Sequence, residues 1–423
     1  MGSEINIARM LQPVVVGGDI LAYSWVRELH RAYGIERTIV LATQDIKMLS
    51  ASKFTDYRLV DGLYDNGGEN LVNALEKVAA EVLAADPERR LIVLGCDDVH
   101  ARLLSKGKPR LEAAGYVVPY IDFDLLDEIT QKRRFYELCE ELDIPFPKTW
   151  YFDCGDGPDE LPVDDFTYPL IAKPSNSAKF QEATIEAKRK IYEIESPDEL
   201  QQVWRTIRTS DYDAELVVQD FIPGGDDAIR TLTTFSDAEG NIRVVSGGVV
   251  ILQDHDPTAL GNPLAILGEK ERVIIDGARK FLKHVEYRGF ANFDIKYDER
   301  DGTFRFFEVN TRAGRNTYYM SLGSVNFASL VVEEFVLGRL IPYQEAYQPF
   351  LYCCVPEYVL RRSVSNVDRL AEALAAIEFT DEPYPLHYKP DSFAHNMWAE
   401  IMRQNQIRKF KKYYWDTGGK QLK

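Results

Sequence analysis

Carboxylate and amide side chains alternate with apolar ones in the stretch FRFFEVNTRAGRN, residues 304–316. Successive side chains on a β-strand point to opposite faces, so Glu308 and Asn310 share one face. The stretch GFANFDIKYD before it predicts the first strand of a hairpin, which would bring Asp294 close to Glu308. Magnesium prefers such oxygen ligands, and two carboxylates this close oppose folding without a cation. The spacing predicts a magnesium site at Asp294, Glu308 and Asn310, although the stretch alone also fits a strand ending in solvent.

Two lysines are candidates for holding phosphate groups. Lys173 follows the apolar strand YPLIA, where an ammonium group is costly unless an anion pairs with it. Lys132 begins a helix whose apolar face would fix it to the core. A lysine holds phosphate as a point charge, so both are predicted to bind one. For each of them a solvated surface lysine is the alternative.

The stretch VVQDFIPGGDD, residues 217–227, has the features of a strand that holds a nucleotide base. It stops at Phe221-Ile222-Pro223, where backbone groups and an apolar wall would meet a flat base. The carboxylate of Asp226 or Asp227 just beyond it would accept hydrogen bonds from ribose hydroxyls. We therefore expect a nucleotide-binding strand here.

Parallel βαβ units are predicted in the N-terminal region. Residues 13–42 read as strand, helix and strand, and a second unit follows with the helix GENLVNALEKVAAEVLAAD and the strand RRLIVLGC. The Gly17-Gly18-Asp19 turn lies where such folds bind ligands, at the carboxyl end of a strand. It lacks the complete GxGxxG pattern, so a simple tight turn is the favoured interpretation.

Overall composition limits the class of protein. A net charge of −17 argues against a nucleic-acid partner, because phosphate backbones demand a basic face. No run approaches the roughly 20 apolar residues that a transmembrane helix needs. The five cysteines show no CxxC spacing. We expect a cytoplasmic protein without a transmembrane segment, and its oligomeric state is left open.

The order of these candidate residues and motifs along the chain resembles the ATP-grasp superfamily of carboxylate–amine ligases. The order is Lys132, Lys173, VVQDFIPGGDD, Asp294 and FEVNTR. The resemblance spans roughly residues 10–340. It implies α/β and α+β architecture, with an N-terminal parallel βαβ domain, a two-lobed ATP-grasp fold and a small C-terminal segment. The cofactors it implies are ATP and one or two Mg²⁺ ions, with Mn²⁺ as an alternative metal.

Domain limits follow from this resemblance and from the change in pattern near residue 120. The N-terminal βαβ domain is expected at 1–120 and the ATP-grasp region at 121–340, with lobes at about 121–212 and 213–340. The C-terminal α/β segment, 341–423, is expected to pack on the ATP-grasp core.

The resemblance also implies roles for single residues. Asp294, Glu308 and Asn310 would hold the metal, and Lys132 and Lys173 the phosphates. The nucleotide-binding candidates are Gln219, Asp220, Phe221, Ile222, Asp226 and Asp227.

Arg312 and Arg315 are the catalytic candidates, because a guanidinium binds acyl-phosphate and carboxylate oxygens bidentately. Surface salt bridging is the alternative for both. The loop after Lys173 departs from the superfamily pattern by lacking a glycine-rich run. Lys179, Lys188 or Lys190 would have to substitute for it. The general base is not assigned, with Asp220 and Asp254 both considered.

A narrower resemblance is to the D-aspartate ligases of Gram-positive cell-wall synthesis, carried by AKPSNS, VQDFIPGGDD, GFANFDIKYDERDG and FEVNTRAGRN. It implies that the β-carboxylate of D-aspartate is activated as an acyl phosphate. A lysine side-chain amine of a peptidoglycan precursor then attacks, and ADP and phosphate are released. The alternatives are an ATP-grasp ligase for another amino acid or peptide and a non-catalytic nucleotide-binding regulator.

The C-terminal helix carries apolar side chains at helical spacing, namely Phe393, Met397, Trp398, Ile401 and Met402. Such spacing is typical of core packing, which is the favoured interpretation. Beyond it, basic residues from Arg408 to Lys412 lie next to Tyr413, Tyr414 and Trp415. This basic and aromatic end is a candidate for contact with an anionic precursor or with the inner membrane surface.

Overall fold

The structure, a computed structural model, describes residues 6–175, 180, 183–185, 188–189 and 191–417. Among these residues no helix is long and apolar enough to cross a membrane. The chain divides by compactness into two units. The first unit comprises Met1–Ile144, Gly225–Ile295 and Glu308–Lys423, and the second comprises Pro145–Gly224 and Lys296–Phe307. The domain limits expected from the sequence remain predictions.

A five-stranded parallel sheet forms the N-terminal part of the first unit, as the βαβ pattern predicted. Its strands are β1 (Leu11–Val16), β2 (Thr38–Ala42), β3 (Thr55–Leu59), β4 (Arg90–Gly95) and β5 (Tyr116–Val117). The helices of this region are α1 (Ile7–Met10), α2 (Ile20–Tyr33), α3 (Lys47–Ser50), α4 (Glu69–Ala85), α5 (Asp98–Ala113), α6 (Phe123–Thr130) and α7 (Lys132–Glu141).

The strand order of this sheet is β3-β2-β1-β4-β5. Val14 of β1 pairs with Ile39 on one side and with Val93 on the other, and it is fully buried. An apolar run that is buried on both faces is what a central parallel strand requires. The chain leaves β1 toward β2 and later returns to place β4 on the other side. The carboxyl ends of β1 and β4 therefore flank the point where the strand order reverses, the usual ligand position in such sheets.

The second unit contains a four-stranded antiparallel sheet with the order β6-β9-β7-β8. Its elements are β6 (Thr149–Asp153), β7 (Leu170–Pro174), β8 (Tyr192–Ile194), α8 (Pro197–Arg208) and β9 (Glu215–Asp220). Ser196 caps α8 by accepting a hydrogen bond from the Glu199 backbone N–H, with Pro197 at the first helical position. Trp204 of α8 is fully buried among the apolar side chains of this unit.

A seven-stranded sheet has the order β14-β13-β10-β11-β12-β16, with β15 paired to β11. Its strands are β10 (Ile229–Ser236), β11 (Ile242–Gln253), β12 (Pro263–Gly268), β13 (Gly289–Asp298), β14 (Thr303–Asn310), β15 (Gln344–Glu345) and β16 (Leu351–Cys353). The accompanying helices are α9 (Arg272–His284), α10 (Tyr318–Leu322), α11 (Phe327–Val331), α12 (Glu357–Ser363), α13 (Val367–Phe379) and α14 (Phe393–Phe410). The β13–β14 hairpin that the sequence predicted is therefore present.

The apolar side chains of α14 do not all pack in the core, which corrects the sequence-based interpretation. Phe393 is 84% exposed, Met397 41% and Ile401 40%, and Met402 is exposed as well. Only Trp398 of the predicted set packs against the core. The helix is apolar on two sides, and the side that reaches the core carries His395, Ala399 and Phe410. Spacing alone could not reveal which side is covered.

Candidate active site

The three predicted metal ligands lie together at the β13–β14 hairpin. Asp294 is on β13, and Glu308 and Asn310 are on the neighbouring strand β14. The Asn310 Nδ2 donates to Asp294 Oδ2 at 3.2 Å. Burial, together with the nearby Glu308 carboxylate, raises the pKa of Asp294 to about 7. Two carboxylates held this close oppose each other's ionisation, and a divalent cation would remove that opposition.

Two carboxylates and one amide are a donor set that magnesium takes. In the part of the chain that the structure describes, no group of three or more His, Cys, Asp or Glu side chains could hold a metal. Asp294 and Glu308 supply two carboxylates, and the Asn310 amide oxygen is a further hard donor. Magnesium commonly takes one or two carboxylates and completes its shell with phosphate oxygens and water.

Asn292 Nδ2 lies 3.5 Å from Asp294 Oδ1, and polar side chains of other elements hold Asn292 in place. Asn292, two residues earlier on β13, accepts a hydrogen bond from Thr233 Oγ1 at 2.8 Å, and Thr233 is 2.6 Å from the Tyr319 hydroxyl. Gly314 also packs here, since a Cβ at that position would lie 2.7 Å from Asn292 Oδ1. Thr233, Tyr319 and Gly314 were not predicted as part of the site, because they reach it from separate parts of the chain.

Lys132 reaches this site from the first residue of α7. Its Nζ lies 3.4 Å from Glu308 Oε2, and both side chains are largely exposed. An exposed ion pair of this kind contributes little to stability. The ion pair does show that one of the two predicted phosphate-binding lysines lies next to the predicted metal ligands.

Arg312 and Arg315 follow β14 in the same unit. Arg312 is 12% exposed and donates to Asp98 Oδ2 at 2.8 Å. Although burial disfavours its charge, the Asp98 carboxylate raises the pKa of Arg312. The Arg315 Nη1 atom is buried and has no hydrogen-bond partner among the described residues. A buried N–H donor without an acceptor is destabilising. A ligand whose oxygen accepts this hydrogen bond would remove that cost.

The β1–α2 turn provides an acidic group near these two arginines. Asp19 caps α2 through a 3.0 Å hydrogen bond from the Ala22 backbone N–H. Burial raises the pKa of Asp19, and the guanidinium groups of Arg315 and Arg312 oppose that increase. The preceding Gly17 has φ +128° and lies against Cys96 and His100, so a side chain there would not fit. The turn therefore places a carboxylate at the ligand position of the parallel sheet.

The second unit contains the other predicted phosphate lysine and most of the predicted base-binding residues. Lys173 of β7 is 3.4 Å from Gln219 Oε1 on β9, and Gln219 donates to Thr149 Oγ1 at 2.7 Å. The Lys296 Nζ lies 5.7 Å from the centre of the Phe221 ring. Burial raises the pKa of Asp220, and Ile222 is buried. The predicted residues among these lie on or just beyond β7 and β9, whereas Lys296 is on β13 and Thr149 on β6.

Asp226 and Asp227 lie in the first unit and take part in local hydrogen bonds. Asp226 Oδ2 accepts from the Gln253 backbone N–H at 2.9 Å, and Asp227 Oδ2 accepts from Asn366 Nδ2 at 2.8 Å. A contact to ribose stays a prediction for both. Of the lysines considered for the phosphate loop, Lys188 donates to the Ala183 carbonyl, whereas Lys179 and Lys190 lie outside the described residues.

Comparison with known proteins places these residues in context. No protein-family model matches the chain. It is 30% identical over 417 residues to the D-aspartate ligase of Enterococcus faecium (strain Aus0004), covering 95% of this chain and 96% of that enzyme. It is 25% identical over 242 residues to the D-alanine–D-alanine ligase of Pseudomonas fluorescens (strain Pf0-1), covering 54% and 68%.

Among solved structures, the ADP complex of an N5-carboxyaminoimidazole ribonucleotide synthetase is similar, with a TM-score of 0.55. It is 13% identical in sequence, and the match covers 85% of each chain. A biotin carboxylase complex from Campylobacter jejuni has a TM-score of 0.57 at 14% identity, covering 81% of this chain and 75% of that one. At these identities the likeness concerns the fold alone.

Proposed function

Because this chain belongs to the D-aspartate ligase family of ATP-grasp carboxylate–amine ligases, we propose that it joins D-aspartate to an amine of a peptidoglycan precursor. The bond would form between the β-carboxylate of D-aspartate and a lysine side-chain amine. The observation that carries this choice of donor is the arrangement of Arg312, Arg315 and Asp19. Two guanidinium groups and one carboxylate match a substrate with two carboxylates and one ammonium group.

The reaction needs ATP because a carboxylate is a poor electrophile. Phosphorylating the carboxylate gives an acyl phosphate, whose phosphate then leaves when the amine attacks the carbonyl carbon. The products are an amide, ADP and phosphate. Such a transfer needs alignment and charge neutralisation more than covalent help from the protein.

Different residues of the chain would bind the metal, the phosphates, the nucleotide and the acyl phosphate. Asp294, Glu308 and Asn310 would hold one or two magnesium ions, which neutralise the phosphates and align the transferred group. Lys132 places a positive charge beside Glu308 for the phosphates. In the second unit Lys173, Gln219, Asp220, Phe221 and Ile222 are proposed to bind the nucleotide. Arg312 would hold the acyl-phosphate oxygens as they gain charge.

The donor would be oriented by Arg315 and Asp19. Arg315 presents a buried N–H group without a partner, which suits the α-carboxylate of the amino acid. Asp19 is a buried acid whose charge the two arginines support, which suits the ammonium group. This leaves the β-carboxylate of the donor for phosphorylation.

The substitution Asp19→Asn is expected to raise the KM for D-aspartate about tenfold or more, with a smaller effect on kcat. The reason is that the neutral amide loses its attraction for the ammonium group. Asparagine caps a helix as well as aspartate does, so α2 should persist. Steady-state kinetics with varied D-aspartate would measure the effect.

Asp86→Asn is the control, because Asp86 accepts from the Glu88 backbone N–H in an exposed turn before the amino end of β4, at the edge of the sheet opposite Asp19. It should change the KM for D-aspartate by less than about twofold, because substitutions at exposed sites usually have small effects. An unchanged donor KM in Asp19→Asn would show that Asp19 does not contact the ammonium group.

The proposed function is tested by measuring ADP release with a panel of D- and L-amino acids, with and without a lysine-containing stem peptide. Release that requires D-aspartate and the peptide together is the expected result. Release with an L-amino acid only would identify a ligase of different donor specificity. No release with any amino acid would favour a nucleotide-binding regulator.

A further inference from the structure

Helix α14 presents a row of apolar side chains to solvent. Phe393, Met397 and Ile401 are spaced by four residues, so they follow one another along one helix face. We call these three residues the exposed apolar stripe. Phe393 is 84% exposed. A single exposed apolar residue needs no explanation, whereas a continuous row on one helix marks an interaction surface.

The rest of α14 shows that the stripe is not a poorly packed core face. On another side of the helix His395 is fully buried, and its two ring nitrogens lie 2.6 Å from the Met48 carbonyl and 2.7 Å from the Leu386 carbonyl. Ala399 and Phe410 are buried on that side as well. The helix is therefore fixed firmly on one side, and its second apolar side is held outward by those same contacts.

Cationic side chains continue the same surface at the end of α14. Arg408 follows Ile401 by seven residues, or two helical turns, and is exposed like Lys411 and Lys412 just beyond it. Within the part of the chain that the structure describes, none of these three lies within ion-pair distance of a carboxylate. By contrast, Lys409 is 3.1 Å from Asp256. The local surface is thus basic in a protein of net charge −17.

We propose that this face of α14 docks on the surface of an anionic lipid bilayer. The exposed apolar stripe would enter the interfacial region, and Arg408, Lys411 and Lys412 would contact lipid phosphate groups. An apolar row next to exposed basic residues that form no ion pair among the described residues is typical of interfacial helices. An anionic bilayer attracts these cations and repels the acidic remainder of the chain. The two effects together would orient the protein with α14 toward the bilayer.

The size of the stripe favours a lipid surface over a second copy of this chain. A stable protein interface buries roughly 800 Å² on each partner, contributed by about 20 or more residues. The stripe has three residues. Three inserted apolar side chains together with three contacts to lipid phosphates are on the scale of reversible membrane association.

The test is co-sedimentation of the full chain with vesicles of phosphatidylcholine containing about 30% phosphatidylglycerol, a typical anionic fraction for such attraction. Pure phosphatidylcholine vesicles are the comparison. We expect binding to the anionic vesicles that weakens as salt rises. The triple variant Phe393→Ser, Met397→Ser, Ile401→Ser should bind at least tenfold more weakly, and the double variant Lys411→Glu, Lys412→Glu should lose the preference for anionic lipid.

Leu340→Ser is the matched control, since Leu340 is an exposed apolar residue (77%) away from α14. It should bind vesicles like the unaltered protein. Ligase activity on water-soluble substrates should be unchanged in all variants, which shows that they fold. Equal or absent binding to both vesicle types would overturn the proposal. So would a dimer in sedimentation velocity that the triple variant converts to a monomer, because a second copy would then cover the stripe.

Discussion

Replacement of Glu308 by glutamine is expected to lower the rate of ADP formation by roughly a thousandfold or more, equivalent to about 4 kcal/mol of transition-state stabilisation. The amide keeps the shape of the side chain but not its charge, so the site would hold divalent cations weakly. The magnesium concentration needed for half-maximal activity should rise in parallel. Steady-state ADP release over a magnesium titration would measure both quantities.

The same substitution should not unfold the protein. Glu308 raises the pKa of Asp294 in the metal-free chain, so removing its charge relieves a repulsion. The melting temperature of Glu308→Gln without metal should therefore equal or exceed that of the unaltered protein. Glu299→Gln, an exposed change in the turn of the same hairpin, is the control and should keep full turnover. Turnover within tenfold of normal in Glu308→Gln would refute the metal assignment.

Replacement of Arg315 by lysine is the second change with a large expected effect, a loss of roughly 100- to 1000-fold in kcat/KM for the donor. Lysine keeps the charge but cannot present the planar, bidentate donor pair of a guanidinium. Kinetics with varied D-aspartate at saturating ATP would measure the loss.

Arg279→Lys is a suitable control, because Arg279 pairs with Asp276 on the exposed face of α9. It should change kcat/KM by less than about twofold, as surface ion pairs contribute little. Circular dichroism should show that both variants fold. If Arg315→Lys folds and keeps its donor kcat/KM, then Arg315 does not bind the substrate carboxylate.

Local pattern was sufficient to predict that Asp294, Glu308 and Asn310 lie together and which strands carry them, whereas their role as metal ligands stays a prediction. The alternation along residues 304–310 assigns Glu308 and Asn310 to one face of β14. The short turn before β14 identifies β13, which carries Asp294, as its partner strand. Continuous apolar runs likewise predicted the parallel N-terminal sheet. The ATP-grasp fold expected from the motifs is confirmed. It could be predicted because the resemblance depends on the order of the motifs along the chain, which the sequence shows directly.

Helix ends were harder to predict, because tertiary packing overrides local signals. Helix α5 continues to Ala113 through Gly107 and Pro109, two residue types that by local pattern indicate a helix end. Conversely, residues 127–142 contain no glycine or proline, yet the helical conformation is interrupted at Gln131, whose ψ of 121° is extended. That interruption makes Lys132 the first residue of a new helix.

Long-range pairs could not be predicted from the sequence. Arg312 pairs with Asp98, which lies 214 positions earlier, and Asp19 lies still farther from Arg315. Asp98 stands in no motif, because it looks like an ordinary acidic residue in the first turn of a helix. Asp19 belongs to the Gly17-Gly18-Asp19 turn, for which a simple tight turn was the favoured interpretation. The exposed apolar stripe was missed for a related reason, since spacing reports that a helix is apolar but not which side the fold covers.

The most direct measurement is anomalous diffraction from crystals grown with Mn²⁺ and a non-hydrolysable ATP analogue. We predict a manganese peak at about 2.1 Å from carboxylate oxygens of both Asp294 and Glu308, with the nucleotide phosphates completing its shell. A peak that contacts the phosphates but neither of these carboxylates would contradict the account, as would a bound nucleotide elsewhere on the chain.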